Sequence, residues 1–282
     1  MAHRRLLVLF TLLSTGTHAQ WLNYPTPGTP RTRDGKPNLA APAPRAANAK
    51  LDLSGAWYVQ PTSLAEWKVV LGDRFDAQFK ARSVGMELDH ISKYSVNILA
   101  DFKTEEVPMR PEAAEILRRR APGDLPQTNC LPIGIPADGL FSPPIKIVQS
   151  PGVIVILYEN DGRYRQIYTD GRTLPKEVVQ PAWLGYSVGK WERDTLAVET
   201  AGFNDRTWLD LMGHPRSEAL RVVERYRRRD FGHMDAEMTF DDPQMYTKPF
   251  TIKVTYELLA DSDIFEFVCN ENEKDRPHLQ KQ

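Results

Sequence analysis

Two cysteines in 282 residues are too few for a disulfide-built scaffold or a cysteine-rich zinc site, and neither sits in a Cys-x-x-Cys redox motif. Charge of one sign is also missing. With 36 Lys+Arg against 37 Asp+Glu, the chain has no basic footprint for nucleic acid. No apolar run is long enough for a membrane helix. No Gly-x-Gly-x-x-Gly or Walker loop prepares a nucleotide phosphate site, and no His-Glu-x-x-His prepares a zinc protease. The letters Gly-x-Ser-x-Gly do occur at Gly185, Ser187 and Gly189. The pattern there is a strand leading into a hairpin, not the strand–turn–helix that a nucleophile elbow needs.

What is present begins with an export signal. Arg4 and Arg5 precede an apolar run from Leu6 to Leu13, and Thr17-His18-Ala19 offers a small-residue cleavage site. Residues 1–19 are therefore read as a signal peptide, and the protein as exported, periplasmic or extracellular. In such a compartment Cys130 and Cys269 can form one disulfide; two separate buried thiols are the alternative.

Residues 20–52 read as a proline-rich tether. Pro25, Pro27, Pro30, Pro37, Pro42 and Pro44 favour extended, poorly packed chain. Within it, Asp34–Leu39 is weakly echoed by Asn48–Leu53. Order is expected from Leu53, in one domain over 53–282 with a helical insertion at about 63–120. Ser63-Leu64-Ala65-Glu66 is a capping box, predicting a helix with Leu64, Trp67, Val70 and Leu71 on one face. A second helix is predicted over Pro111–Arg120.

From Ile145 the period changes to two. Val153–Tyr158 and Tyr164–Thr169 flank Asn160-Asp161-Gly162, a hairpin signal. Leu184–Trp191 and Thr195–Thr200 form the next hairpin. Leu220, Val222, Glu224 and Tyr226 share one strand face; Arg221, Val223, Arg225 and Arg227 share the other. Alternating strands follow over 233–240 and 250–258, and Asp261-Ser262-Asp263 is expected to turn the chain into a last strand at Ile264–Cys269. Sequential antiparallel hairpins of this number close into a barrel or form a sandwich.

Ser54-Gly55-Ala56-Trp57 resembles the Gly-x-Trp that opens the first strand of lipocalin-like (calycin) barrels, whose tryptophan plugs the closed end. That resemblance implies a mainly β, antiparallel lipocalin-like barrel with two accessory helices, and a partner arginine for Trp57 at Arg225 or Arg227. A second resemblance rests on Cys130–Pro136, Arg165–Arg172, Gly185–Glu192, Gly202–Asp205 and Gly213-His214-Pro215. These are similar to a widespread group of exported bacterial proteins of acidobacterial and proteobacterial type, which implies export and assigns no catalytic residue.

The chemically densest stretch is Glu199 to Glu218, a long loop expected over the barrel mouth. Three readings compete. In acid/base catalysis of the lyase, isomerase or hydrolase kind, without a cofactor, His214 is the base, Asp210 its orienter, Arg172 the anion clamp and Tyr168 the acid. In a metal-dependent hydrolase, Glu199, Asp205, Asp210 and His214 hold a divalent ion. In a structural or envelope-interaction protein these groups cap turns and rigidify the loop. Trp183, Tyr186, Phe203, Asn204, Asp205 and Trp208 are the candidate contacts for a small amphipathic or aromatic ligand, the expected partner, bound at the barrel mouth under this loop.

Overall fold

The computed structural model describes residues 24–71, 91–141, 144–177 and 180–269. The expected signal peptide lies outside the described residues. Nine strands, β1 (Gly55–Val59), β2 (Ile145–Ser150), β3 (Val153–Tyr158), β4 (Tyr164–Tyr168), β5 (Tyr186–Glu192), β6 (Thr195–Ala201), β7 (Arg221–Arg228), β8 (His233–Asp241) and β9 (Phe250–Leu258), close in chain order into one barrel. The two-residue period decides what fills it. Val222, Glu224, Tyr226 and Arg228 of β7 point inward, as do Met234, Ala236, Met238 and Phe240 of β8 and Phe250, Ile252, Tyr256 and Leu258 of β9. The fold is mainly β and lipocalin-like, as the sequence predicts.

Two expectations about strands are corrected. The meander is antiparallel except between β4 and β5, which run parallel and share two residue pairs, Ile167↔Ser187 and Tyr168↔Val188. The long connection between them is a crossover, as a parallel pair requires. Residues 264–269 form no strand. β9 pairs instead with β1, Trp57 opposite Leu258, and that pairing completes the barrel. After the turn at Asp261 (φ 59°) the chain climbs the outside of the barrel. Asp263 meets Lys146 at 2.5 Å, and the Phe265 N–H donates to Glu159 at 2.8 Å. The climb ends at a disulfide between Cys269 and Cys130, with the Cα atoms 5.7 Å apart.

One end of the barrel is plugged by Trp57, whose Nε1 donates to the Leu53 carbonyl at 3.0 Å. The guanidinium stacked on its ring, 4.8 Å away, belongs to Arg228, not to Arg225 or Arg227, which face outward. Arg228 also donates to the carbonyls of Asp52, Ser54 and Phe231 and so ties three segments together. Gly55 is required there: at φ +143° an added Cβ would lie 2.6 Å from Leu258 Cδ1.

The same end carries the N-terminal segment, which is docked, contrary to the reading of a poorly packed tether. Ala41, Leu51 and Leu53 are buried, and the carbonyls of Leu39 and Ala41 accept from Gly232 and Phe231. The weak echo is structural. Asn38 N–H donates to Pro30 and Thr32 N–H to Lys36; Asp52 donates to Pro44 and Ala46 to Lys50 in the same pattern. Each turn carries one arginine onto the barrel: Arg31 pairs with Asp261, and Arg45 with Asp194 in the β5–β6 turn.

Strand directions gather the long connections at the opposite end: 60–144, 202–220 and 242–249. Among the described residues the first carries four short helices, α1 (Leu64–Leu71), α2 (Lys93–Val96), α3 (Pro111–Arg119) and α4 (Ala137–Leu140). The capping box forms, Ser63 Oγ accepting from Glu66 N–H at 3.3 Å. Trp67 packs with Ile91 in a satellite core, whereas Leu64 is exposed. α4 sits over the barrel opening, since a Cβ on Gly139 would lie 3.2 Å from Tyr256 Oη. Among the described residues no helix is long and apolar enough to cross a membrane.

Candidate functional site

The loop after β6 leaves from the α4 end, where the sequence places it. At its centre is Asp210, fully buried, which accepts main-chain N–H groups from Ile98 (2.6 Å), Gly213 (3.0 Å) and His214 (3.1 Å). Its fourth bond is to His214 Nδ1 at 2.5 Å. The loop is further sewn to α2 and its exit by Leu211 N–H to Ser95 and Met212 N–H to Val96. Asp210 and His214 therefore meet, but the carboxylate is occupied by the backbone it holds in place. Phe203 is buried beneath the Arg216 guanidinium and Trp208 beneath that of Arg120, each ring centroid 4.7 Å from the arginine carbon. Asn204 accepts from Arg206 N–H in a turn, and Asp205 is exposed.

Tyr168 and Arg172 lie elsewhere. β4 runs toward the Trp57 end and finishes with Tyr168 opposite Val153, the first residue of β3. The Tyr168 ring stacks on Tyr186 at 5.3 Å, with Arg172 over its ring at 3.8 Å. Arg172 donates to Tyr186 Oη at 3.1 Å and forks onto Asp170 at 2.6 and 2.9 Å. The Asp170 and Tyr186 oxygens raise its pKa. The predicted acid/base quartet is thus two separate groups: Asp210 and His214 are buried inside the mouth loop, whereas Tyr168 and Arg172 bond to Gln166, Asp170 and Tyr186 on the outside of the barrel at the β4–β5 seam. The metal set is not assembled either: Glu199 is exposed on the outer face of β6, and Asp205 is exposed while Asp210 is buried. Among the described residues no group of three His, Cys, Asp or Glu is placed to hold an ion.

The short β4–β5 pairing leaves a gap. Above its two pairs the strands part, and a cleft of about 550 Å³ opens between Tyr164, Gln166 and Tyr168 on one side and Trp183, Leu184 and Tyr186 on the other. Of the predicted ligand contacts, Trp183 and Tyr186 line it; Phe203, Asn204, Asp205 and Trp208 do not.

Behind the cleft is a polar core absent from the sequence reading. Arg165 of β4 points into the barrel and forks onto Glu224 of β7, donating also to Ser187 (2.9 Å) and Thr200 (2.7 Å). Tyr226 Oη donates to Glu224 at 2.7 Å. Burial works against the Arg165 charge, and Glu224 more than restores it, so its pKa is raised. Burial pushes the Tyr158, Tyr226 and Tyr256 hydroxyls up as well. Ser187 is held in this network on a strand, which agrees with rejecting a nucleophile elbow. The signal in the sequence was Glu224 itself, a carboxylate set between Val222 and Tyr226 on the inward face of β7.

Arg216, also missed, is buried at the loop's base with Nη2 on the Trp183 carbonyl at 3.0 Å. Burial lowers its pKa to about 9, and the charges of Asp138, Asp242 and Asp205 offset only part of that. It joins the mouth loop to the rim of the cleft. No protein-family model and no curated protein sequence matches the chain.

Proposed function

We propose that this protein is an exported binding protein that takes a small amphipathic or aromatic molecule in the cleft between β4 and β5. The observation that carries the reading is the wall of Tyr164, Tyr168, Trp183 and Tyr186 around a concave space of about 550 Å³, with Tyr164 63% exposed. Flat aromatic faces flanked by a few polar groups bind flat or amphipathic molecules. Export is supported by the basic-then-apolar start of the sequence and by the Cys130–Cys269 disulfide, a bond kept in oxidising compartments.

The test is a fluorescence titration with 8-anilinonaphthalene-1-sulfonate, an aromatic amphiphile. Trp183→Ala is expected to weaken binding about tenfold, equivalent to about 1.4 kcal/mol. His214→Ala is expected to leave the affinity unchanged while lowering the melting temperature. The reverse pattern would return the site to the barrel mouth. Acid/base chemistry at His214 is a second reading, favoured by its Nδ1 bond to Asp210. It requires that Asp210→Asn abolish a measurable turnover of an ester or lactone panel; a panel left untouched by the wild-type protein sets it aside.

A further inference from the structure

The edge of β4 inside the cleft says what kind of molecule fits. Tyr158 N–H donates to the Arg163 carbonyl, and Thr169 N–H donates to that of Gly152, both at 2.8 Å. In an antiparallel ladder, bonded and non-bonded residues alternate. With Ile156 opposite Arg165 and Ile154 opposite Ile167, the main-chain groups of Arg165 and Ile167 are turned toward β3. Those of Tyr164, Gln166 and Tyr168 are turned the other way, toward β5. Tyr168 and the Gln166 carbonyl are engaged by the two parallel pairs. The N–H and C=O of Tyr164 and the N–H of Gln166 therefore face the cleft beyond the last β5 pair. Elsewhere around the barrel each strand is met by its neighbour over three or more residue pairs.

We infer that the cleft accepts a short extended peptide, which continues the β4 ladder where β5 leaves it. This rests on the reading of the cleft as the binding site and names its ligand class. The peptide main chain supplies the C=O and N–H that match Tyr164 and Gln166, the basis of strand addition. Alternate peptide side chains fall between Tyr164 and Trp183, so apolar or aromatic residues at every second position are preferred.

The probe is a random heptapeptide library, N-acetylated and C-amidated, selected on immobilised protein; enriched peptides are remade with N-methyl groups on alternate residues. Methylation of one alternating set is expected to weaken binding at least tenfold, and of the other set to change it less than twofold. Gln166→Pro removes a cleft-facing N–H and keeps the β3 ladder and every aromatic wall. It is expected to lose the peptides at least tenfold, with 8-anilinonaphthalene-1-sulfonate binding to the wild-type protein measured alongside. Equal tolerance of both methylated sets overturns the inference, as does no enrichment over Gln166→Pro. Anilinonaphthalene binding without peptide enrichment overturns the peptide alone; loss of both overturns the cleft. Should Gln166→Pro not fold, the methylated pair on wild-type protein decides the matter.

Discussion

Arg165 does from inside the barrel what two backbone pairs cannot do alone at the β4–β5 seam. It reaches from β4 to Ser187 on β5, Thr200 on β6 and Glu224 on β7. Replacing it with Met leaves the Glu224 carboxylate buried without its counter-charge. The expected cost is about 3–5 kcal/mol by urea unfolding, and Arg165→Met/Glu224→Leu should recover most of it. A single-variant cost below about 1 kcal/mol would mean water already reaches the pair. Which residues face inward was legible wherever alternation was followed far enough. The period that gathered Leu220, Val222, Glu224 and Tyr226 continues to Arg228, the true partner of Trp57. The contact between Asp210 and Ile98 was not legible, because it joins positions over a hundred apart with no shared pattern.

Among the elements, the N-terminal turns show how irregular chain is fastened. Each is tied by one arginine to an acid at a turn of the barrel, Arg31 to Asp261 and Arg45 to Asp194. Hydrogen bonding to those arginines holds both carboxylates below their ordinary range. A lowered carboxylate pKa contributes stability that is present above the unfolded value and lost as pH falls through the folded one. The segment should therefore become protease-sensitive below about pH 4 while the barrel still holds its far-ultraviolet signal. Arg31→Ala/Arg45→Ala should reproduce that sensitivity at neutral pH; a segment equally resistant in both proteins would place its anchorage in Leu51 and Leu53 instead. Proline content predicted a lack of regular structure correctly, but it carries no information about docking. The parallel β4–β5 pair was missed, because alternation marks strands but not their direction; only the length of the connection from 169 to 185 sets it apart from a tight hairpin.

For the molecule as a whole, ionisation of buried tyrosine sets an upper pH limit. Tyr94, Tyr158, Tyr226, Tyr246 and Tyr256 are buried and all have raised pKa values, chiefly through desolvation; half-buried Tyr58 reaches about 12. Unfolded tyrosines lose their protons near pH 10, so the unfolded state binds fewer protons there and stability falls as pH rises. The urea midpoint should drop between about pH 8 and pH 11, with phenolate absorbance rising together with unfolding. A gradual rise at constant midpoint would contradict this. Reducing Cys130–Cys269, whose partners are 139 residues apart, should cost about 4–5 kcal/mol in the chain-entropy account.

The pairing of β1 with β9 also governs when the molecule can fold. Trp57 and Leu258 are about 200 residues apart in the chain, a contact of the kind that slows folding. A growing chain cannot close the barrel until β9 has been made, nor bury Trp57 between its neighbours. Until then the edge of β1 that takes β9 stays open, with β1 held on its β2 side alone. That delay is compatible with the export proposed above, and it makes β9 the element on which closure of the barrel waits.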